Sequence, residues 1–312
     1  MRKRPTVTIG IPAYNEEANI KTLLEKLLAQ KQKNFHLLEI VVISDGSTDK
    51  TVKIIKSFRN PKIRFINRKE RLGQQICQNQ ILNLFKGQIL VIIEADTLPF
   101  NEITIGELVK PFINNRLKNL GMTVGTSLST NPVNLYQEIM NRGGEIKSKL
   151  FDEWRGGDNL YCTGGHAMKA LSRRFANFLE WPKDVPEDSY VYLRLKELGL
   201  KLVIQRNAKV YKNNVNNVID RRKQARKFLS GIESLKNYFP KEVVDKEYNP
   251  PTSLLLKHIF LAFIDKPVLT TLWLLETLLN RISFLTTNKK NYNPLYSPYD
   301  SSKELRLTCP NA

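Results

Sequence analysis

The chain has 312 residues, 41% of them apolar and 25% charged, with 15 glycines, 15 prolines and three cysteines. That is the profile of a folded protein with a full-sized core, and it excludes a disordered chain, a collagen-like repeat and a disulfide scaffold. Net charge is +19, with Lys+Arg against Asp+Glu running 17 to 9 in residues 1–100, 13 to 12 in 101–200 and 19 to 9 in 201–312, so nucleic acid, an anionic membrane surface and a phosphorylated substrate are all admissible partners.

Residues 1–5 are basic, but the apolar stretch behind them stops at Pro12, too soon for a signal peptide. The expected location is therefore cytoplasmic. Cys77, Cys162 and Cys309 are scattered and form no C-x-x-C pair, which fits a reducing compartment and speaks against a zinc ribbon. Over the first hundred residues short β-branched runs at 6–11, 38–44, 63–67 and 88–94 alternate with helical patterns at 16–30, 48–58 and 74–86. This alternation predicts an α/β fold with a mostly parallel central sheet and helices on both faces. Ligands of such sheets bind at the carboxyl ends of the strands.

The stretch from 101 to 200 mixes helices and loops and reads as the second half of the same domain. Residues 201–205 and 208–211 read as two further strands, and 220–238 as a basic helix opened by Arg221-Arg222-Lys223. A composition shift follows Pro250-Pro251. Two apolar segments, 254–264 and 268–285, are separated by Asp265-Lys266-Pro267 and broken by Lys257, Glu276 and Arg281. Neither offers the roughly 18 apolar residues that a spanning helix requires. They fit either a helix pair lying in a membrane interface beside Lys266, Arg281, Lys289 and Lys290, or a hairpin packed on the catalytic domain. Residues 291–312, with Pro294, Pro298 and Pro310, read as an irregular tail. The expected division is a catalytic domain over 1–238 and a helical segment, membrane-interfacial or packed on that domain, with its irregular tail over 239–312.

Five motifs carry chemistry. Pro12-Ala13-Tyr14-Asn15-Glu16-Glu17 ends the first strand, and Asp45-Gly46-Ser47-Thr48-Asp49 ends the second, where the hydroxyls can cap the next helix. Glu94-Ala95-Asp96 ends the fourth strand, and alternation puts both acids on one side of the extended chain, placed to share a divalent cation. Gly164 and Gly165 allow backbone to approach a ligand closely, and Glu187-Asp188 opens a helical stretch where carboxylates are favoured. Cys162 and His166 supply too few ligands for a metal site of their own.

In this order the motifs, with Arg71-x-Gly73 and Asn79, resemble the inverting glycosyltransferases of family 2, whose fold is the nucleotide-diphospho-sugar transferase fold called GT-A. The resemblance covers about residues 5 to 230. It implies that Pro12, Ala13, Tyr14, Glu16 and Asp45 hold the nucleoside, with Gly73, Asn79, Glu94, Asp96, Gly164 and Gly165 completing the nucleotide-sugar site. Asp96 matches the metal-binding acid of the family's Asp-x-Asp motif, so Mg2+ or Mn2+ is the implied cofactor, and Glu94 stands in place of the first Asp. Asp188 matches the general base, with Glu187 beside it. Gln224, Arg226 and Lys227 line up with a diphosphate-binding Gln-x-x-Arg-Trp motif in which Lys227 replaces Arg and Phe228 replaces Trp. The expected partners are a nucleotide-sugar donor, a UDP-sugar first, and a glycan or lipid-linked acceptor, with the protein peripheral at the inner face of a membrane. A nucleotidyltransferase would carry a glycine-rich basic loop after the first strand, which is missing. A nucleic-acid-binding protein would interleave aromatics with its cations, and only Phe228 stands near the cluster at 221–227.

Overall fold

The computed structural model describes residues 4–113, 118–164, 167–286, 293, 295 and 299–305. The first half runs β1 (Thr6–Ala13), α1 (Ile20–Leu28), β2 (His36–Asp45), α2 (Thr51–Ser57), β3 (Ile63–Arg68), α3 (Gln74–Leu84), β4 (Ile89–Ile93), β5 (Thr97–Pro99), α4 (Thr104–Ile113) and β6 (Leu120–Ser129). The second half runs α5 (Leu135–Glu153), α6 (Tyr161–Gly164), β7 (Met168–Ser172), α7 (Arg173–Ala176), α8 (Glu187–Glu197), β8 (Lys201–Lys212), α9 (Val218–Leu235), α10 (Lys241–Tyr248), α11 (Thr252–Asp265), α12 (Pro267–Thr286) and α13 (Asp300–Lys303).

The strands form one sheet in the order β3-β2-β1-β4-β7-β6-β8-β5. β1, β2, β3 and β4 pair in parallel, β6 pairs in parallel with β8, and β7 and β5 run antiparallel to their neighbours. The expected α/β sheet, mostly parallel and covered on both faces, is thus what the chain forms. Strand periodicity divides the core. In β4, Leu90 and Ile92 face the cluster made with α3, α7 and α8, while Ile89, Val91 and Ile93 face the cluster made with α1 and α4.

The two strands expected at 201–205 and 208–211 are a single strand. β8 pairs with β6 from Lys201 to Lys212, and the register jumps between Val124–Ile204 and Thr126–Lys209. The polar Gln205-Arg206-Asn207 insert is a bulge that bends the strand without ending it.

α11 and α12 form a hairpin with one face docked on α5. Trp273, Ala262, Ile139, Met140 and Ile146 make a separate small core there. Gly143 on α5 permits this approach, because a Cβ at that position would stand 2.0 Å from Trp273 Nε1. Arg142, 3% exposed, fastens the turn by donating to the Ala262 carbonyl and to Asp265 Oδ2 at 2.8 Å. Glu276, which interrupts the apolar pattern in sequence, turns inward to the Tyr136 hydroxyl and to Arg221 at 3.5 Å. The other face of the hairpin is bare: Leu256, Phe260, Leu261, Phe263, Ile264 and Val268 around its tip are all exposed. Among the described residues no helix is long and apolar enough to cross a membrane.

Candidate active site

The carboxyl edge of the parallel strands gathers chain segments that are remote in sequence. β1 ends there at Ala13, β2 at Asp45, β4 just before Glu94 and β8 at Lys212, and antiparallel β7 begins there with Met168 and Lys169. The first two motifs are knitted to each other. Asn15, at φ 53, donates from its backbone N–H to Ser47 Oγ at 3.1 Å and accepts from the Thr48 N–H at 2.8 Å. The Glu16 N–H donates to Thr51 Oγ1 at 2.7 Å, and the Glu17 N–H to Asp49 Oδ2 at 3.0 Å. Ser47 and Asp49 of the second motif, with Thr51 just beyond it, therefore serve as acceptors for the backbone of the first.

Asp45 is buried and fixes the loop before α3. Its carboxylate accepts from Arg68 at 3.2 Å, from the Leu72 N–H at 2.9 Å and from the Gly73 N–H at 2.8 Å. Gly46, at φ +70, lets that loop cross directly above, since a Cβ there would lie 2.7 Å from the Arg71 nitrogen. The Arg71 guanidinium then sits 4.0 Å from the centre of the Tyr14 ring. Asn79 pairs through its side chain with the backbone of Trp181, at 2.8 and 2.9 Å. Gly164 closes α6, while Gly165 and His166 lie outside the described residues.

The acids converge with three lysines, of which the sequence singled out only Lys227; Lys169 is buried, and Lys212 and Lys227 are half-buried. Lys212 Nζ bonds Glu94 Oε2 at 2.5 Å. Lys169, from β7, bonds Asp188 Oδ1. Lys227, from α9, stands 3.8 Å from Glu187 Oε1. Arg226 is exposed and lies instead along α12, and Gln224 accepts from Arg221 at 3.0 Å, so of the three basic-helix candidates only Lys227 reaches the acids.

These charges perturb one another. Burial opposes ionisation of Glu94, but Lys212, Lys169 and Lys227 outweigh it and hold the carboxyl below its ordinary range. Asp96 goes the other way: burial first, and then repulsion from Glu94, raise it despite Lys212. Glu16 is pushed up to about 8 by burial and by the negative charge of Asp96. Burial also raises Asp188, with Glu187 and Glu94 adding repulsion that Lys169 only partly offsets.

Among the described residues no three His, Cys, Asp or Glu side chains form a ready-made metal cage. The donor chemistry still fits a hard divalent cation. Such an ion, Mg2+ above all, is commonly held by one or two carboxylates together with water and phosphate oxygens. Glu94 is committed to Lys212, whereas Asp96 is raised by burial despite Lys212 and Lys303, and a bound cation would favour its ionised form. Asp96 is thus the residue fitted to hold one.

A sequence model described as glycosyl transferase family 2 matches residues 8–175. The dolichyl-phosphate beta-glucosyltransferase ALG5C of Trichomonas vaginalis is 28% identical over 96 residues, which is 28% of this chain and 28% of that protein. The glycosyltransferase GlyA of Streptococcus pneumoniae is 32% identical over 91 residues, 29% of this chain and 13% of that protein. The chain therefore spans less than a third of the length of either relative. Among solved structures, the mannosyltransferase PcManGT of Pyrobaculum calidifontis, in complex with GDP-Man and Mn2+, superposes with a TM-score of 0.57 at 17% identity, over 92% of this chain and 77% of that one. Glucosyl-3-phosphoglycerate synthase of Mycobacterium tuberculosis, with Mn2+, UDP and phosphoglyceric acid, gives a TM-score of 0.51 at 17% identity, over 74% of this chain and 78% of that one.

Proposed function

The chain belongs to glycosyl transferase family 2, and from that premise we propose that it moves a sugar from a nucleoside-diphosphate donor to an acceptor hydroxyl with inversion at the anomeric carbon. The observation that carries this reading is the meeting of Glu94, Asp96, Glu187 and Asp188 with Lys169, Lys212 and Lys227 at the carboxyl edge of the sheet. The donor lies along Pro12, Ala13, Tyr14 and Glu16, above the loop that Asp45 fixes through Gly73. Its diphosphate is directed toward Asp96.

In the transfer, the acceptor oxygen attacks the anomeric carbon from the face opposite the diphosphate, and its proton passes to the Asp188 carboxylate. The new C–O bond forms as the bond to the diphosphate oxygen breaks, and the nucleoside diphosphate leaves with the electron pair. A bound Mg2+ or Mn2+ would neutralise the charge that develops on the leaving group. Lys227 and Lys212 add fixed positive charge without reorganising during the reaction.

Thermal unfolding with UDP- and GDP-sugars, with and without Mn2+, tests the donor and the cation together. Ligand at 100 times its Kd stabilises the native state by about 2.7 kcal/mol. The intact chain is expected to show an upward shift that grows with Mn2+, and Asp96→Ala is expected to lose the Mn2+-dependent part. A shift indifferent to Mn2+ in both proteins would remove Asp96 from the donor site.

The relative whose name includes dolichyl phosphate and the bare hairpin face together favour an acceptor presented at a lipid surface. The exposed tip carries Phe260, Phe263, Ile264 and Val268 beside Lys257 and Lys266, and the basic Arg222 and Arg226 border α12. Apolar side chains flanked by cations suit an anionic bilayer interface. The protein is expected to co-sediment with phosphatidylserine-containing vesicles, and the double variant Phe260→Asp, Ile264→Asp to remain in the supernatant. Equal recovery of the two proteins with the vesicles would dismiss the hairpin as the membrane contact.

A further inference from the structure

Resting on the donor site just proposed, we infer that Lys303, delivered by the C-terminal segment 299–305, is a donor-binding residue whose ammonium contacts the diphosphate at the end of β1. The segment is strapped across the mouth of the cleft and held on both banks. On the β8 side the Ser301 N–H donates to Asp220 Oδ2 at 3.0 Å, and Asn213 donates to the Glu304 carbonyl at 2.6 Å. On the β1 side Asn19 donates to the Lys303 carbonyl and accepts from the Leu305 N–H at 3.1 Å. Leu305 packs against the core below α1, and Tyr299 against the hairpin core.

What this docking accomplishes is the placement of one side chain. Lys303 Nζ donates to the Tyr14 carbonyl at 2.7 Å and to the Asn15 carbonyl, stands 3.2 Å from Glu16 Oε1, and lies 5.7 Å from the centre of the Tyr14 ring. Its charge also reaches Asp96 and Asp49. The other cleft lysines are each set against a carboxylate: Lys169 against Asp188, Lys212 against Glu94 and Lys227 against Glu187. Lys303 stands against Glu16 and also gives hydrogen bonds to two neutral main-chain carbonyls, which hold the ammonium at the end of β1. With Arg71 on the Tyr14 ring as well, two cations bracket the one aromatic side chain of the donor segment. A nucleoside diphosphate has the matching chemistry, with a flat base for the ring and a doubly charged tail for the ammonium.

The experiment is calorimetric titration of UDP and of GDP, at fixed Mn2+, into the full chain and into Lys303→Met and Lys303→Arg, with thermal unfolding of each protein in the absence of ligand. A charge-assisted contact to phosphate of ordinary strength predicts that Lys303→Met weakens binding by about tenfold or more. Lys303→Arg should retain most of the affinity, and all three proteins should unfold at similar temperatures. Unchanged affinity in Lys303→Met would overturn the inference alone, and tighter binding would overturn it by making the strap a barrier. If the unsubstituted chain binds neither nucleotide, the proposed donor site falls and takes this inference with it.

Discussion

Asp188→Asn is expected to lower the rate of sugar transfer by about 10²- to 10⁴-fold, the range that a positioned general base supplies, while the affinity for the donor nucleotide stays near that of the unsubstituted protein. The two outcomes separate because the residue sits in the first turn of α8 and pairs with Lys169 of β7, not with the Tyr14–Glu16 segment. An asparagine keeps the shape and still offers an oxygen to Lys169, but it cannot take the acceptor's proton. Initial-rate assays with saturating donor, set beside titration of the nucleoside diphosphate alone, read the two quantities independently. A variant that lost donor affinity and kept its turnover would show that Asp188 belongs to the nucleotide pocket. Removing a charge also leaves Lys169 buried beside a neutral partner, so the unfolding temperature should be followed in the same preparations.

The linked loops that end β1 and β2 were legible in the sequence because their parts are local. The backbone N–H groups of Asn15, Glu16 and Glu17 need acceptors, and Ser47, Thr51 and Asp49 provide them, while the Thr48 N–H donates back to the Asn15 side chain. Each loop carries its own turn and capping chemistry, so each is readable alone. The far half of the sheet was not. β5 is three residues long, β7 is five, and both are fixed by pairing with strands distant in sequence, so no local periodicity announces them. β6 is rich in Thr, Ser and Gly, which read as loop until strands on both sides pair with it. In β8 a polar bulge looked like a strand end.

The cations were the least legible part. A lysine in sequence is by default a solvated one, and only the fold reveals a carboxylate facing it. Lys212 meets Glu94 across 118 residues and Lys303 meets Tyr14 across 289. The basic cluster at 221–227 drew the sequence reading because it is contiguous, yet a helix distributes contiguous residues around its axis. Lys227 faces the acids, while Arg226, one position earlier, points along α12. Charge density in sequence was therefore a poor guide to charge density in the cleft.

Lys169→Met should displace the pH profile of transfer. Lys169 is 5% exposed on β7 and its ammonium bonds the Asp188 carboxylate directly. It is the cation that opposes the upward pull on Asp188 from burial and from the neighbouring charges of Glu187 and Glu94. The sign follows from which form works. A general base acts deprotonated, so transfer rises as pH rises through the pKa of Asp188, and the raised pKa already sets the acid limb above the ordinary carboxylate range. Removing the ammonium withdraws the largest attraction holding that pKa down, so the acid limb must move to still higher pH. At neutral pH the variant is slower because a smaller fraction of Asp188 is ionised, and raising the pH should restore part of the loss. Methionine keeps most of the buried stem volume, so packing on β7 changes little. Profiles of kcat and of kcat/KM between about pH 5 and pH 9, measured for the chain and its variant, give the displacement. If the variant's acid limb stayed where it was, or moved to lower pH, Lys169 would not be the group that tunes the base. A uniform loss at every pH would instead leave it a structural partner of α8.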